Sequence, residues 1–373
     1  MTPEEKQKRL EEIRDQIDRI DASLVELLSQ RAQCAIEVGK VKGTDNTPFF
    51  TPERERRIYN KLAKINHGPL KPPQLEGIFR EIISAARAAE KPLEVAYWGP
   101  RGTFTHMAAI ETFGRSTLMK PVESIQEVFQ AVEHGNADYG IAPIENSTAG
   151  VVPETLDMFP QTNVKICAET YVNIHHHLAS RATDLSEIER VYAGPQPAGQ
   201  CRHWLKENLP GAKIVDVIPT AKAAQEAAED PTGAAIVNGL CAEILELNIL
   251  ADHIEDNANN RTRFVVLGYN EPEKTGKDKT TLMFTLRNRP GELYTALGAF
   301  VLHRVNLMMI ESRPAPRSSF EYIFYVDANG HRSDMNVQLA IREIKRHALE
   351  ITVLGSYPST DPALETSLED PLD

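Results

Sequence analysis

Ala258-Asn259-Asn260-Arg261-Thr262-Arg263-Phe264 runs directly into the apolar stretch Val265-Val266-Leu267. The apolar stretch reads as a buried strand. The segment feeding it carries amides, guanidiniums, a hydroxyl and an aromatic ring. Polar side chains concentrated at the mouth of a buried strand point to a polar ligand docking there. The donors suit oxygen anions, and the Thr262 hydroxyl both gives and accepts a hydrogen bond. Taken alone the segment is equally a solvated turn, so its surroundings decide.

Residues 94–270 alternate short apolar strands with helical stretches, and several strand ends carry polar loops. Val95-Ala96-Tyr97-Trp98 leads into Gly99-Pro100-Arg101-Gly102-Thr103-Phe104-Thr105-His106. Tyr139 to Ile144 leads into Glu145-Asn146-Ser147-Thr148, and Arg190 to Ala193 into Gly194-Pro195-Gln196, ahead of Gln200-Cys201. Ser124 with Glu127 forms a capping box that starts a helix. In α/β sheets ligands sit beyond the carboxyl ends of strands, so these loops are expected to converge on one cleft. The glycine spacing is not G-x-G-x-x-G, which disfavours a dinucleotide-dependent enzyme. In a strand, His175 and His177 share one face while His176 takes the other, so the three cannot chelate one ion, and no metal or cofactor is expected.

The chain has 373 residues, room for two to four domains, and its 41 Lys and Arg against 53 Asp and Glu leave a net charge of −12. No long basic run is present, which argues against nucleic-acid or anionic-membrane binding. An acidic protein that handles anions must gather its cations locally. Cys34, Cys167, Cys201 and Cys241 lie far apart without a CxxC pair, as expected for reduced thiols. Cys201 reads as a packing residue. There is neither an apolar signal-peptide core nor a run of the ~20 apolar residues a membrane span needs, so a cytoplasmic protein is expected.

Residues 4–91 are rich in charge and helix formers. Leu10, Ile13, Ile17, Ile20, Leu24 and Leu27 follow a 3-4 spacing, which predicts a helix over 4–42 that is ~58 Å long and packs against a second copy of itself. Arg31 occupies the seam where an apolar residue is expected. Lys42, about three turns later, points the same way, whereas Arg14 lies ~25 Å back and reaches the same ligand only from a partner subunit. Arg54 and Glu55 open a second helix after Pro52, and Glu90 falls on the stripe Phe79, Ile83, Ala86 of a third.

Arg-Asp-Gln-Ile-Asp-Arg-Ile-Asp (14–21), the run from Leu27 through Arg31 to Lys40, and Glu53-Arg54-Glu55 resemble the all-helical chorismate mutases of the AroQ type. The resemblance implies that Arg31, with Arg14 of a partner chain, holds the two carboxylates of chorismate. Lys42 would bond the ether oxygen, Glu55 the ring hydroxyl, and Arg54 would complete the cationic wall. The implied reaction is a unimolecular rearrangement that needs no nucleophile or metal, only a held conformer and stabilised charge on the breaking ether bond. Thr51 stands where some members carry Asp, and Glu90 where some carry Gln.

Gly99-Pro100 with Gly102-Thr103-Phe104-Thr105, Pro143-Ile144-Glu145-Asn146-Ser147 with Gly150, Pro195-Gln196 with Gln200-Cys201, and Thr262-Arg263-Phe264 together resemble prephenate dehydratases. That resemblance implies two α/β lobes, like those of periplasmic binding proteins, with prephenate between them. Thr262 would donate to the departing ring hydroxyl, Asn146 and Gln200 would supply uncharged hydrogen bonds, and Arg263 would clamp the pyruvyl carboxylate. Glu145 and His176 remain rival acids, and Thr103, Phe104, Ser147, His176 and Phe264 would line the substrate.

After a polar hinge at 271–278, residues 279–357 read as βαββαβ, a ferredoxin-like unit with one sheet face free for pairing. Gly291-Glu292-Leu293 and Glu311-Ser312-Arg313-Pro314 resemble the effector motifs of ACT regulatory domains. Gly291, Leu293, Asn306, Leu307, Glu311, Ser312, Arg313 and Pro314 would then bind phenylalanine at a subunit interface.

The expected organisation is multidomain. An all-α chorismate mutase domain spans 1–92, an α/β dehydratase domain 93–271, an α+β ACT domain 279–357 and a disordered tail 358–373. The chain is expected to form a homodimer or higher homo-oligomer. Its rivals are a dehydratase whose helices only dimerise and a non-enzymatic small-molecule receptor.

Overall fold

The computed structural model describes residues 1–42, 48–315 and 321–361. It divides into two compact units, one of Met1–Phe50, Tyr59–Leu93 and Phe113–Leu118, the other of Thr51–Ile58, Glu94–Thr112 and the chain from Met119. Three helices precede the first strand: α1 (Pro3–Lys42), α2 (Pro52–Ile65) and α3 (Pro72–Glu90). Prolines at the start of α2 and α3 sit where a missing N–H costs nothing. In the first unit α3 packs on α1, and the Glu90 side chain lies so close that a Cβ on Gly39 would fall 2.5 Å from Glu90 Cγ. Arg87 is buried, donates to the Phe113 carbonyl at 2.8 Å and lies over the Phe50 ring. The apolar stripe of α1 is left open: Leu10, Ile13, Ile17, Ile20, Leu24 and Leu27 are 40–59% exposed.

The second unit is built on three sheets. Its elements run β1 (Glu94–Trp98), α4 (Phe104–Phe113), β2 (Leu118–Val122), α5 (Ile125–Glu133), β3 (Tyr139–Asn146), β4 (Gly150–Val151), α6 (Pro153–Met158) and β5 (Lys165–Asn173). They continue as β6 (His177–Ser180), β7 (Arg190–Ala193), α7 (Pro195–Gln200), α8 (Arg202–Asn208), β8 (Lys213–Asp216), α9 (Thr220–Glu229), β9 (Gly233–Val237), α10 (Gly239–Ile244), β10 (Asn248–Ala251) and β11 (Arg261–Gly268). The first sheet has the order β2-β1-β3-β11-β5, with β4 on β3, and the second the order β10-β6-β9-β7-β8. The chain crosses from the first sheet to the second through residues 174–176 and returns through 252–260. Ser124 caps α5 through the Glu127 N–H at 3.2 Å, as its spacing predicts.

The third sheet follows the expected βαββαβ order: β12 (Asp278–Leu286), α11 (Glu292–Leu302), β13 (Leu307–Pro314), β14 (Tyr322–Asn329), α12 (Met335–His347) and β15 (Glu350–Pro358), arranged β13-β14-β12-β15. One face carries α11 and α12 over Leu282, Phe284 and Val326. The other face is not free, contrary to expectation. Met309, Tyr325, Leu354 and Tyr357 join the core of the first sheet around Leu156 and Ile166. A Cβ on Gly355 would come within 2.1 Å of the Ile166 carbonyl oxygen, so only glycine allows that approach.

Four buried charges cross this junction. Arg263 on β11 donates from Nε to Glu169 at 2.8 Å, from Nη2 to the Tyr357 hydroxyl at 3.0 Å, and from Nη1 to Asp327. Lys279 donates to Glu169 at 3.0 Å, and Thr281 to Asp327 at 2.6 Å. Two cations face two carboxylates, so the cluster is neutral as a whole, the condition under which buried charge is tolerable. Burial alone would raise the Asp327 carboxyl, but Arg263 and Lys279 more than offset it and hold it below its ordinary range.

Two expectations of composition give way here. The polar segment 271–278 is no loose hinge: Glu271 pairs with Arg332, Lys274 with Asp334, and the Asp278 carboxylate accepts from the Thr275 N–H at 2.9 Å. At the start of the expected tail, Ser359 is 3% exposed and donates to Glu169 at 3.1 Å, because that carboxylate has a second oxygen to satisfy. Positions 362–373 lie outside the described residues.

Replacing Asp327 by Asn leaves Arg263 under-compensated in the interior and is expected to destabilise this unit by about 3–5 kcal/mol at neutral pH. Because the folded carboxyl is held below its unfolded value, that stability is present above ~4 and lost as pH falls through the folded value. Urea unfolding of the two proteins from pH 7 to 3 should show the gap narrowing in acid.

Candidate active sites

Thr262 stands at the start of β11, paired with Asn146 at the end of β3 and with Val172 on β5. The Asn146 side chain is held from both ends. Its Oδ1 accepts from the backbone N–H groups of Thr148 (3.0 Å) and Ala149 (2.9 Å), which fixes which end of the amide is oxygen. Its Nδ2 therefore donates, to Thr262 Oγ1 at 2.8 Å and to Asn260 Oδ1 at 2.9 Å. Thr262 Oγ1 is an acceptor in that bond, so its own proton is free to be given elsewhere. Ser147 clips the turn through mutual bonds with Arg261, its Oγ accepting from the Arg261 N–H at 2.9 Å.

A second group lies where the first sheet's chain leaves for the second. Buried His176 has Nε2 2.8 Å from Gln200 Oε1, and its ring meets Phe104 edge-on with centroids 5.7 Å apart. His176 Nδ1 is buried without a hydrogen-bond partner among the described residues. Burial lowers the imidazole's proton affinity, so it is neutral near pH 7 and serves better as a hydrogen-bonding group than as a proton source. The loop before α4 depends on glycines at φ +95° and +86° (Gly99 and Gly102), and Thr103 Oγ1 caps the helix by accepting from the His106 N–H at 3.2 Å. Asn238, on the second sheet, donates to the Gly102 carbonyl at 2.8 Å and ties the loop down.

In the helical segment Arg14 is exposed and Arg31 half-buried on α1, and Glu90 Oε1 is buried with no hydrogen-bond partner among the described residues. Arg54 is exposed and Glu55 buried in the first turn of α2, whose N–H groups cap on the Thr51 carbonyl. The side chain of Lys42 lies outside the described residues. In the third sheet Gly291 has φ +87° at the start of α11, and Leu293 and Leu307 pack on the rim of the same core. Asn306 is exposed just before β13, which carries Glu311, Ser312, Arg313 and Pro314.

Residues 95–272 match the family model of prephenate dehydratase, and residues 13–91 that of chorismate mutase type II. A bifunctional chorismate mutase/prephenate dehydratase from Aquifex aeolicus is 43% identical over 94% of this chain and 98% of its own length. The chain belongs to the bifunctional chorismate mutase/prephenate dehydratase family. Another member, from Pseudomonas aeruginosa, is 38% identical over 94% of this chain and 98% of its own. Among solved structures, a prephenate dehydratase from Arthrobacter aurescens in complex with L-Phe is 34% identical with a TM-score of 0.67, covering 74% of this chain and 97% of that one.

Three sequence expectations need correction against this geometry. Arg263 cannot clamp a substrate carboxylate, because alternation along β11 turns it to the face opposite Thr262, where all three of its nitrogens are engaged. Phe264 is 1% exposed and belongs to the core rather than to a substrate wall. Arg313 is gripped by both oxygens of Asp157, at 3.0 and 2.7 Å, so it links β13 to α6 instead of standing open to an effector. Glu145 is 3.7 Å from Arg263 and has a 40% exposed side chain. Cys201 is fully buried with its thiol pushed up to about 12 by burial, which accords with a packing role. Asn260, one of the amides of the opening segment, joins the site through Asn146, and Asn238, which follows an apolar strand in a helix-capping position, joins it through the Gly102 carbonyl.

Thr262→Ala should lower dehydratase kcat by about 10²–10⁴-fold, the usual worth of a positioned proton donor, and leave mutase turnover unchanged. Steady-state assays of both reactions on one preparation check this, and equal loss of both would point to misfolding.

Proposed function

We propose that the chain rearranges chorismate to prephenate and converts prephenate to phenylpyruvate, under feedback inhibition by phenylalanine. The observation that carries the dehydratase half is the Asn146–Thr262 hydrogen bond, whose polarity leaves the Thr262 proton available. Prephenate aromatises when carbon dioxide and the ring hydroxyl depart together. The electron pair of the breaking carboxylate bond enters the ring as the hydroxyl leaves. Thr262 donates to that hydroxyl, Asn146 orients Thr262, and Gln200 with neutral His176 supplies further hydrogen bonds. Thr103, Phe104 and Ser147 bound the same site, whereas Glu145, 3.7 Å from Arg263, stands on the opposite face of the sheet.

The mutase half rests on the family match of residues 13–91. Arg31 and a partner's Arg14 hold the carboxylates, Lys42 and Glu90 face the ether oxygen, and Arg54 and Glu55 complete the wall. Half-exposure of the α1 stripe supports a homodimer in which a second copy covers it. The domains are taken as mutase 1–92, dehydratase 93–271 and a ferredoxin-like ACT domain 279–357, acting in the cytoplasm. No helix is long and apolar enough to cross a membrane among the described residues. The effector reading draws on the relative solved with L-Phe. Phenylalanine would bind at Gly291, Leu293, Asn306, Leu307, Glu311, Ser312 and Pro314, with Arg313 excluded by its grip on Asp157, and it inhibits only by preferring one of two conformers.

Purified chain given chorismate alone should accumulate prephenate and then phenylpyruvate, and phenylalanine should slow the second product. Prephenate failing to appear would leave a dehydratase with dimerising helices. A carboxylate cannot donate a hydrogen bond to the ether oxygen whereas an amide can, so Glu90→Gln should raise mutase kcat at neutral pH. An unchanged kcat in that variant would remove Glu90 from the site.

A further inference from the structure

The two crossovers between the first and second sheets bring together side chains that neither proposed reaction uses. His175 lies on the outgoing crossover, and His253 and Glu255 on the returning one. His175 Nδ1 is 2.7 Å from Glu255 Oε1, His253 Nδ1 is 3.0 Å from His175 Nδ1, and His253 Nδ1 is 3.5 Å from Glu255 Oε1. We propose that these three atoms form a binding site for a divalent transition metal of the zinc class, clamping the two crossovers together.

The argument is geometric. Ligand atoms around a tetrahedral zinc with ~2.0–2.1 Å bonds stand about 3.3 Å apart, and the three observed separations bracket that value. Two imidazole nitrogens and one carboxylate oxygen suit zinc, cobalt or nickel better than magnesium or calcium, which prefer all-oxygen cages. The two Nδ1 atoms face each other at hydrogen-bond distance while both face one carboxylate, so at most one can present a proton to the other. A cation satisfies all three at once.

The carboxylate is well held. Glu255 has a 3% exposed side chain, and its Oε2 accepts from the His176 N–H at 2.8 Å, leaving Oε1 for the metal. His253 is 58% exposed at its side chain, so the ion has a route in and a fourth position open to water. His253 has φ +51°, an uncommon backbone state for a residue other than glycine, which aims its ring at the site. His177 lies beside the site, its ring 5.4 Å from that of His253 and its Nδ1 3.0 Å from Asp252. Residues 174–176 form the crossover and not a strand, so His175 meets Glu255 and His253 while His176 turns to Gln200. The site arises because a distant segment supplies the missing ligands.

The test titrates Co²⁺ into the purified full chain after chelator treatment, following the visible d–d absorption and the thermal midpoint. One equivalent should bind, with the spectrum of a four-coordinate nitrogen–oxygen site, and should raise the midpoint. His253→Gly keeps the backbone state and removes the ligand, and His175→Gln removes the other imidazole. Each should weaken cobalt binding by about tenfold or more and abolish the rise in midpoint. His134→Ala, remote in sequence, should change neither. Circular dichroism of the metal-free variants checks that they fold. The proposal fails if wild type gives no such band, or if folded His253→Gly binds cobalt as tightly as wild type.

Discussion

The ion cluster of Arg263, Glu169, Asp327 and Lys279 is the constraint on which the second unit depends. Each charge is at most 3% exposed, so none can fall back on water if its partner moves. The cluster's members come from β11 and β5 of the first sheet and from β12 and β14 of the third. Neither sheet can shift against the other without separating buried charges, which costs far more than sliding an apolar face. Arg263 is also the chain neighbour of Thr262. A strand residue whose side chain is locked on one face holds the backbone that presents its neighbour on the other. The stable junction and the Thr262 hydroxyl are therefore two sides of one strand.

That arrangement connects β13 and β14 of the third sheet to the strand that carries Thr262. Arg313 grips Asp157 on α6, and Tyr325 donates to the Leu156 carbonyl at 2.9 Å, so the third sheet meets the first at several rigid points. Coupling needs elements with two discrete arrangements, and packed charged junctions of this kind favour discrete over continuous displacement.

What could be read from sequence was local. The cap at Ser124, the helix over α1, the βαββαβ order and the polar strand end at Thr262 all follow from spacing within a few residues. Arg263 departs from the clamp its family resemblance implies because its partners Glu169 and Asp327 are far away in sequence and meet it only on folding. The same holds for the segment 271–278, which looks like a linker by composition until Arg332 and Asp334 meet its charges. The covered face of the third sheet was hidden for a similar reason. Strand alternation shows that a face is apolar but not what lies against it. Asn238 reaches Gly102 from another sheet, a meeting that no local pattern announces.

The second sheet is spliced between two strands that are themselves hydrogen-bonded neighbours, β5 and β11, with the Ile174 N–H meeting the Asn260 carbonyl at 2.8 Å where the insertion begins and ends. A hairpin-like pair is thus closed by an entire lobe instead of a turn. The β3–β11–β5 side of the first sheet must wait for that lobe to be gathered in, because closing so long a loop is entropically costly until its ends are held close. In a growing polypeptide β11, seated between β3 and β5, arrives last of its sheet, so the hydroxyl of Thr262 comes into register only after both lobes have been synthesised.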